Sequence, residues 1–292
     1  MRNLKANLLE LVRRTSAELP DDVVNVIARS ARQEQEGSNA QYAMNIIVNN
    51  IDLAKLKSQP LCQDTGSILF FVKAPRAFDQ LAFEKAAREA VAEATAKGYL
   101  RQNSVDSITG KNTGNNLGPG SPSIHFHQQR GARVDVRLIL KGGGCENVGA
   151  QYSLPDVRVN ANRDVDGVRR VILDAVIQAQ GKGCGPGILG VCIGGDRATS
   201  YLHSKEQLLR TMEDASPDPT LAALEKDIVV SANKLGIGPM GFGGATTLLG
   251  CKIGALNRLP ASYFVSISYM CWAYRRQGFV LNDGGKIVEW LY

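Results

Sequence analysis

The sequence predicts an α/β chain of mixed α+β type, with a mixed β-sheet flanked by helices. Three observations carry this. Residues with helical apolar spacing, such as Phe83, Ala86, Ala87, Ala90, Val91 and Ala94, alternate unevenly with short apolar runs such as Ile68 to Val72. The composition, 44% hydrophobic and 21% charged over 292 residues, supplies enough apolar material for a large core. No repeat or low-complexity linker divides the chain, so residues 1–292 read as a single domain.

The N-terminal third reads as helical. Pro20-Asp21-Asp22 ends one amphipathic segment and opens another, with acids in the first turn where the helix dipole favours them. Ser38 is placed to cap the next helix, which sets Ala43, Ile47 and Ile51 on one face, and Pro60 ends the pattern. A polar turn, Cys62 to Gly66, leads to a strand from Ser67 to Lys73, and the helix around Phe83 stops at Gly98. Asn103 to Pro122 is a loop of a length that is usually functional or disordered. Ser123 to His127 and Val134 to Leu140 alternate and read as a hairpin. Val168, Val171, Ile172, Ala175, Val176 and Ala179 form the clearest helical face. A strand from Ile188 to Ile193, helices over Thr199–Met212 and Leu221–Leu235, a strand at Tyr263 to Tyr269 and a last pair near Phe279 and Ile287 complete the order.

Several classes are excluded. The apolar fraction is too high and the net charge of +6 too low for disorder. Apolar runs fall far short of the roughly 20 residues of a membrane helix. Met1 to Glu18 has no apolar core of an export signal, so a cytoplasmic protein is expected. There the six cysteines, Cys62, Cys145, Cys184, Cys192, Cys251 and Cys271, default to reduced thiols, and no C-x-x-C pair offers a compact metal motif. From Ile228 to Asn282 there is no Asp or Glu, while Lys234, Lys252, Arg258, Arg275 and Arg276 are present. This charge pattern suits an anionic ligand or an acidic partner better than nucleic acid.

Individual motifs divide into weak and strong. Gly236 to Gly241 is a literal G-x-G-x-x-G, but it follows a helix and lacks the downstream acid of a dinucleotide site. His125 and His127 share a strand face, more simply the outward half of an edge strand than a metal pair. Gly142-Gly143-Gly144 after a strand would let an anion approach bare N–H groups, or would simply make a tight turn. The most loaded segment is Cys62-Gln63-Asp64-Thr65-Gly66, where a thiol, an amide, a carboxylate and a hydroxyl stand in four consecutive residues.

At that turn the chain resembles the iron–sulfur hydro-lyases of the class I fumarate hydratase and L(+)-tartrate dehydratase family, specifically their alpha subunit or N-terminal part. The resemblance continues through Gly110-Lys111-Asn112-Thr113-Gly114, Lys141-Gly142-Gly143-Gly144, Cys184-Gly185-Pro186-Gly187, Leu235-Gly236-Ile237-Gly238-Pro239 and Cys271-Trp272-Ala273-Tyr274-Arg275-Arg276. Gln63 to Gly66 followed by Phe70-Phe71-Val72-Lys73, with the Cys271 to Arg276 end, looks more like tartrate dehydratase than fumarase.

The resemblance implies a fold of the iron–sulfur hydro-lyase alpha-subunit type and a [4Fe–4S] cluster on Cys62, Cys184 and Cys271, with Cys192 the alternative to Cys184. Three thiolates would leave one iron open as a Lewis acid, unlike an electron-transfer cluster. Gln63 and Asp64 would contact the substrate and its departing hydroxyl, Asp64 as acid/base group. Arg101 would bind a carboxylate, and Gly143 and Gly144 would offer N–H groups. The family histidine twelve residues before the last cluster cysteine, near the substrate, is replaced here by Leu259, and Cys184-Gly185-Pro186 stands where Cys-Pro-Pro is usual. The implied reaction is reversible dehydration of a 2-hydroxy dicarboxylate, L-tartrate to oxaloacetate, with malate to fumarate as alternative. A non-catalytic iron–sulfur redox protein is the alternative of another class. The base for the C3 proton is expected on a separate beta subunit, in an αβ or α2β2 enzyme, because the sequence stops at Tyr292 before that part of single-chain relatives. No nucleic-acid or membrane partner is implied.

Overall fold

The computed structural model describes residues 3–292. In chain order its helices and strands are α1 (Leu4–Ala17), α2 (Asp21–Ala31), α3 (Asn39–Lys57), β1 (Ser67–Ala74), α4 (Gln80–Ala96), β2 (Ser123–Gln128), β3 (Val134–Lys141), α5 (Gly143–Asn147), β4 (Ala150–Ser153), α6 (Val165–Ala179), β5 (Gly187–Ile193), α7 (Arg197–Gln207), α8 (Pro219–Asn233), β6 (Leu248–Ala255), β7 (Phe264–Met270), β8 (Arg276–Leu281) and β9 (Ile287–Trp290). The mixed α/β class expected from the sequence is what is found. Helix starts follow local chemistry. The Ser38 hydroxyl accepts the Gln41 N–H, and the carboxylates of Asp79, Asp164, Asp196 and Asp218 cap α4, α6, α7 and α8, the last with Pro219 in its first turn. Among the described residues no helix is long and apolar enough to cross a membrane.

Internal packing divides the chain into two compact units, each discontinuous in sequence. Unit 1 takes the described residues up to Asp21, Asn49–Gly143 and Ala273–Tyr292; unit 2 takes Asp22–Val48 and Gly144–Trp272. In unit 1 a five-stranded sheet runs β2-β1-β3-β8-β9. One face of it, with Phe70, Val72, Val136, Leu138 and Phe279, packs on Leu8, Leu11 and Val12 of α1 and on Phe83, Ala87 and Val91 of α4. The apolar run Ile68–Val72 forms the strand that this burial predicts. However, β2 and β3 are not a hairpin. Strand β1 lies between them, parallel to β2 and antiparallel to β3, because its apolar run fills the buried central position. Strand β2 is left at the edge.

Unit 2 holds a four-stranded sheet in the order β4-β7-β5-β6, with β5 parallel to β6 and antiparallel to β7. Val168, Val171 and Ile172 of α6 and Leu224 and Ile228 of α8 pack against Leu189, Val191, Ile253 and Ile267. Strand β6 escapes sequence reading because Gly250, Lys252 and Gly254 break its apolar pattern. The glycines leave room for neighbouring side chains: a Cβ on Gly254 would come within 2.6 Å of Gln207 Nε2 and one on Gly250 within 2.8 Å of Met212 Cε, and these flexible ends would have to shift.

Phe83 is fully buried, with its ring edge-on to Phe70 at 6.1 Å and to Phe126 at 5.7 Å. Truncation to Ala removes these contacts and leaves a cavity. Phe83→Ala is therefore expected to cost about 3–5 kcal/mol in urea unfolding, and a loss under about 1 kcal/mol would contradict this packing.

Candidate active site

In unit 1 the turn after α3 is tied down before it reaches its reactive residues. The Leu61 N–H donates to the Ser16 carbonyl at 2.9 Å, and the Asn50 amide donates to the Leu61 carbonyl at 2.9 Å. Cys62 follows, half-buried, and its Sγ accepts the Asp64 N–H at 3.5 Å. Gln63 is exposed. Asp64 is held at both oxygens: Oδ1 accepts from Asn103 Nδ2 at 2.9 Å and Oδ2 from the Gly143 N–H at 2.6 Å. The Gly143 N–H is thus directed at Asp64. Gly66 closes the turn with φ +76°, where a Cβ would collide with the Lys141 carbonyl at the end of β3.

The partner strip, Arg101 to Ser104, is clamped from two sides. The buried Thr65 hydroxyl donates to the Arg101 carbonyl at 2.8 Å and accepts the Arg101 N–H at 2.9 Å. Asn116, buried and left-handed at φ 61°, accepts the N–H groups of Asn103 and Ser104 on Oδ1 and donates from Nδ2 to Thr95 Oγ1 and the Arg101 carbonyl. The Arg101 backbone is fixed while its side chain is exposed. Asp64, Ser67, Asn103, Ser104, Asn116 and Gly143 line a cavity of about 350 Å³. Asn103 and Asn116 escaped sequence reading. The Asn-rich loop pointed to their region, but no spacing marks which Asn meets Asp64 and which is buried.

In unit 2, Cys184 is exposed and left-handed, φ 54°, at the end of a 3₁₀ turn over Gln180–Gly183. The Trp272 N–H donates to its carbonyl at 3.4 Å, which sets the Cys184 backbone beside that of Cys271. Buried Tyr269 stands against both. Cβ atoms on Gly183 or Gly187 would run into its ring, and burial, then Cys271, Cys145 and Cys184, push its phenol far above the usual range. Cys192 and Cys251 lie inside β5 and β6. Burial pushes the Cys192 thiol up to about 11 and the Cys251 thiol higher still. Among the described residues no three His, Cys, Asp or Glu side chains converge at the spacing of a single metal ion.

Residues 5–280 match the family model described as fumarate hydratase (Fumerase). The chain belongs to the fumarate hydratase family. It is 49% identical, over its whole length, to a protein of Geobacillus stearothermophilus named as a class I fumarate hydratase, and it spans 58% of that relative. It is 32% identical over 92% of its length to a protein of Methanocaldococcus jannaschii named as an L(+)-tartrate dehydratase subunit alpha, 94% of which is covered. The L(+)-tartrate dehydratase subunit alpha of Escherichia coli K12 is 30% identical, with 89% of this chain and 85% of the relative aligned. The resemblance drawn from the motifs is borne out.

Leu259 stands where the resemblance implies a histidine near the substrate. Leu259 is exposed in the loop before β7, where Arg258 stacks on Tyr263 at 4.4 Å and donates to the carbonyls of Leu259, Pro260 and Ser262. Strand β7 separates this loop from Cys271, on the order of 20 Å of extended chain. Leu259 therefore lies at the opposite end of the unit 2 sheet from Cys184 and Cys271. The cations of the acid-free stretch are placed differently from one another. Lys252 is buried against Asp214 at 2.9 Å, Arg276 stacks on the rings of Tyr274 and Tyr292, and Arg275 is buried. His127 is outward on edge strand β2, while His125 stacks on Phe71 at 5.0 Å.

Two outcomes are expected. In metal-free protein at about pH 8, iodoacetamide should label Cys184 first and Cys192 and Cys251 last, with the Cys192 rate rising only as pH nears 11. Equal rates by mass spectrometry would contradict the burial. Asn116→Gly, which tolerates the left-handed backbone, should raise amide hydrogen exchange at Asn103 and Ser104 by tenfold or so, about 1.4 kcal/mol of lost protection; unchanged protection would show that Asn116 does not clamp the strip.

Proposed function

We propose that this chain is the alpha part of an iron–sulfur hydro-lyase that reversibly removes water from a small 2-hydroxy dicarboxylate. The observation that carries the reading is the Asp64 carboxylate, held at both oxygens and hydrogen-bonded through its own N–H to the Cys62 sulfur. The proposed cluster ligands are Cys62, Cys184 and Cys271. The donor chemistry fits: iron–sulfur clusters take thiolates, the Cys62 sulfur already accepts an N–H, and Cys184 is presented on a turn beside Cys271. Cys192 lies near the far end of β5 from the Cys184 turn and Cys251 lies inside β6, which argues against either as a ligand. When bound, a [4Fe–4S] cluster on three thiolates supplies one iron open to the substrate carboxylate and hydroxyl.

The chain's own residues bind, orient and move the proton. Arg101, with its backbone pinned and its side chain free to reach out, is proposed to fork onto a substrate carboxylate. The exposed Gln63 amide would hydrogen-bond the departing hydroxyl. Asp64, unable to rotate between Asn103 and Gly143, would deliver the proton that lets the hydroxyl leave as water and take it back in hydration. Gly143 acts through Asp64, and the Gly144 N–H is offered to the ligand. The C3 proton goes to a base assigned to a beta subunit, as the alpha-subunit names of the relatives suggest, in an αβ or α2β2 enzyme. Thiolate ligands suit a reducing compartment, the cytoplasm. The 49% identity favours malate and fumarate as the substrate pair. L-tartrate to oxaloacetate is the second reading, favoured by the near-complete coverage of the tartrate dehydratase alpha subunits.

The test is the anaerobically reconstituted complex. Mössbauer spectra should show one iron site perturbed by the diacid that is turned over; four unperturbed irons, or no iron, would overturn the reading. Turnover of malate against L-tartrate separates the two substrates. Asp64→Asn should lower kcat by about 10²–10⁴ with iron content retained. Cys184→Ser should lose the cluster, and loss in Cys192→Ser instead would reassign the ligand.

A further inference from the structure

Tyr269 sits on β7 of unit 2, opposite Leu189 of β5, and is 4% exposed. Its ring lies against the turn that carries Cys184, with no room for a side chain between them. A Cβ on Gly183 would run into the ring edge at Cε1, and one on Gly187 into Cζ and the hydroxyl oxygen. At Gly185 a Cβ would stand 3.4 Å from that same oxygen. The hydroxyl is therefore lodged beside Gly185 and Gly187, directly after Cys184. Two residues beyond Tyr269, just past the end of β7, comes Cys271, and the Trp272 N–H after it donates to the Cys184 carbonyl at 3.4 Å. The titratable groups that act on the phenol are Cys271, Cys145 and Cys184, all of them thiols.

A tyrosine buried to this degree ordinarily gives its O–H to an acceptor, since a hydroxyl removed from water without one is costly. Among the described residues no hydrogen bond engages this hydroxyl. Packing does not account for it either, because phenylalanine would fill the same slot against the glycines. We propose that the Tyr269 hydroxyl donates a hydrogen bond to anionic sulfur, a cysteine thiolate or an inorganic sulfide, of the cluster held by Cys184 and Cys271. The inference rests on the cluster reading given above and makes Tyr269 a positioning residue of that centre. Anionic sulfur is a stronger acceptor than the neutral thiols of the metal-free chain, so the bond belongs to the loaded protein. Hydrogen bonds to cluster sulfurs favour the more negative, reduced state and so raise the reduction potential. The rigid ring, wedged between β5 and the turn, keeps the donor in place for that purpose.

The test compares the anaerobically reconstituted wild-type complex with Tyr269→Phe, which keeps the ring and removes only the donor. Iron content and the thermal unfolding of the metal-free chains should match. The cluster of the variant should show the more negative reduction potential in a dye-mediated titration. Electron–nuclear double resonance on the reduced wild-type cluster should detect an exchangeable proton that the variant lacks. An unchanged potential, or a proton signal that persists in Tyr269→Phe, would overturn the inference, and altered unfolding with an unchanged potential would leave Tyr269 a packing role only. A wild-type complex without iron would overturn the cluster reading and this inference with it, which separates that failure from a cluster present but indifferent to Tyr269.

Discussion

The Asp64 carboxylate accepts one hydrogen bond from a backbone N–H 79 residues downstream and another from an amide 39 residues downstream. Everything else in the unit 1 site is arranged around keeping those two donors in place. Thr65 and Asn116 grip the strip that carries Asn103, and Gly66 lets the turn lie against the end of β3 close enough for Gly143 to reach Asp64. A short carboxylate side chain bonded at both oxygens has little rotational freedom left. Such rigidity is what proton delivery to a departing group requires, since a misplaced donor costs rate steeply.

Unit 2 sorts its thiols by backbone conformation. Cys184 and Cys192 are eight residues apart, yet one sits in a left-handed turn open to solvent and the other inside a strand. Enclosure in an apolar sheet disfavours the Cys192 thiolate, and the turn leaves Cys184 accessible. Tyr269 supports the turn from behind, and only glycine fits at Gly183 and Gly187 against its ring. The glycine-rich character of the segment thus has a packing cause on one side and a presentation consequence on the other.

Charge patterning along the sequence does not say where each cation is supported. The absence of acids from Ile228 to Asn282 suggested a positive face. Lys252, however, is neutralised by Asp214 from outside that stretch, and Arg258 and Arg276 lie on aromatic rings. Cations can be internal supports when their partners come from elsewhere in the chain. Leu259 makes a similar point, since twelve residues in sequence place it across a whole strand from Cys271 rather than beside it.

What was legible from sequence is what depends on near neighbours. Helical periods, the Ser38 cap, the buried run of β1, the reactive turn at Cys62 and the family motifs all express interactions within a few residues, so a linear string records them. The tertiary structure alone decided that β1 separates β2 from β3, that β6 exists despite its glycines, that Asn103 meets Asp64 while Asn116 is buried, and which cysteines are enclosed. Those outcomes depend on which distant segments meet, and burial and hydrogen-bond partnership have no fixed spacing along a chain.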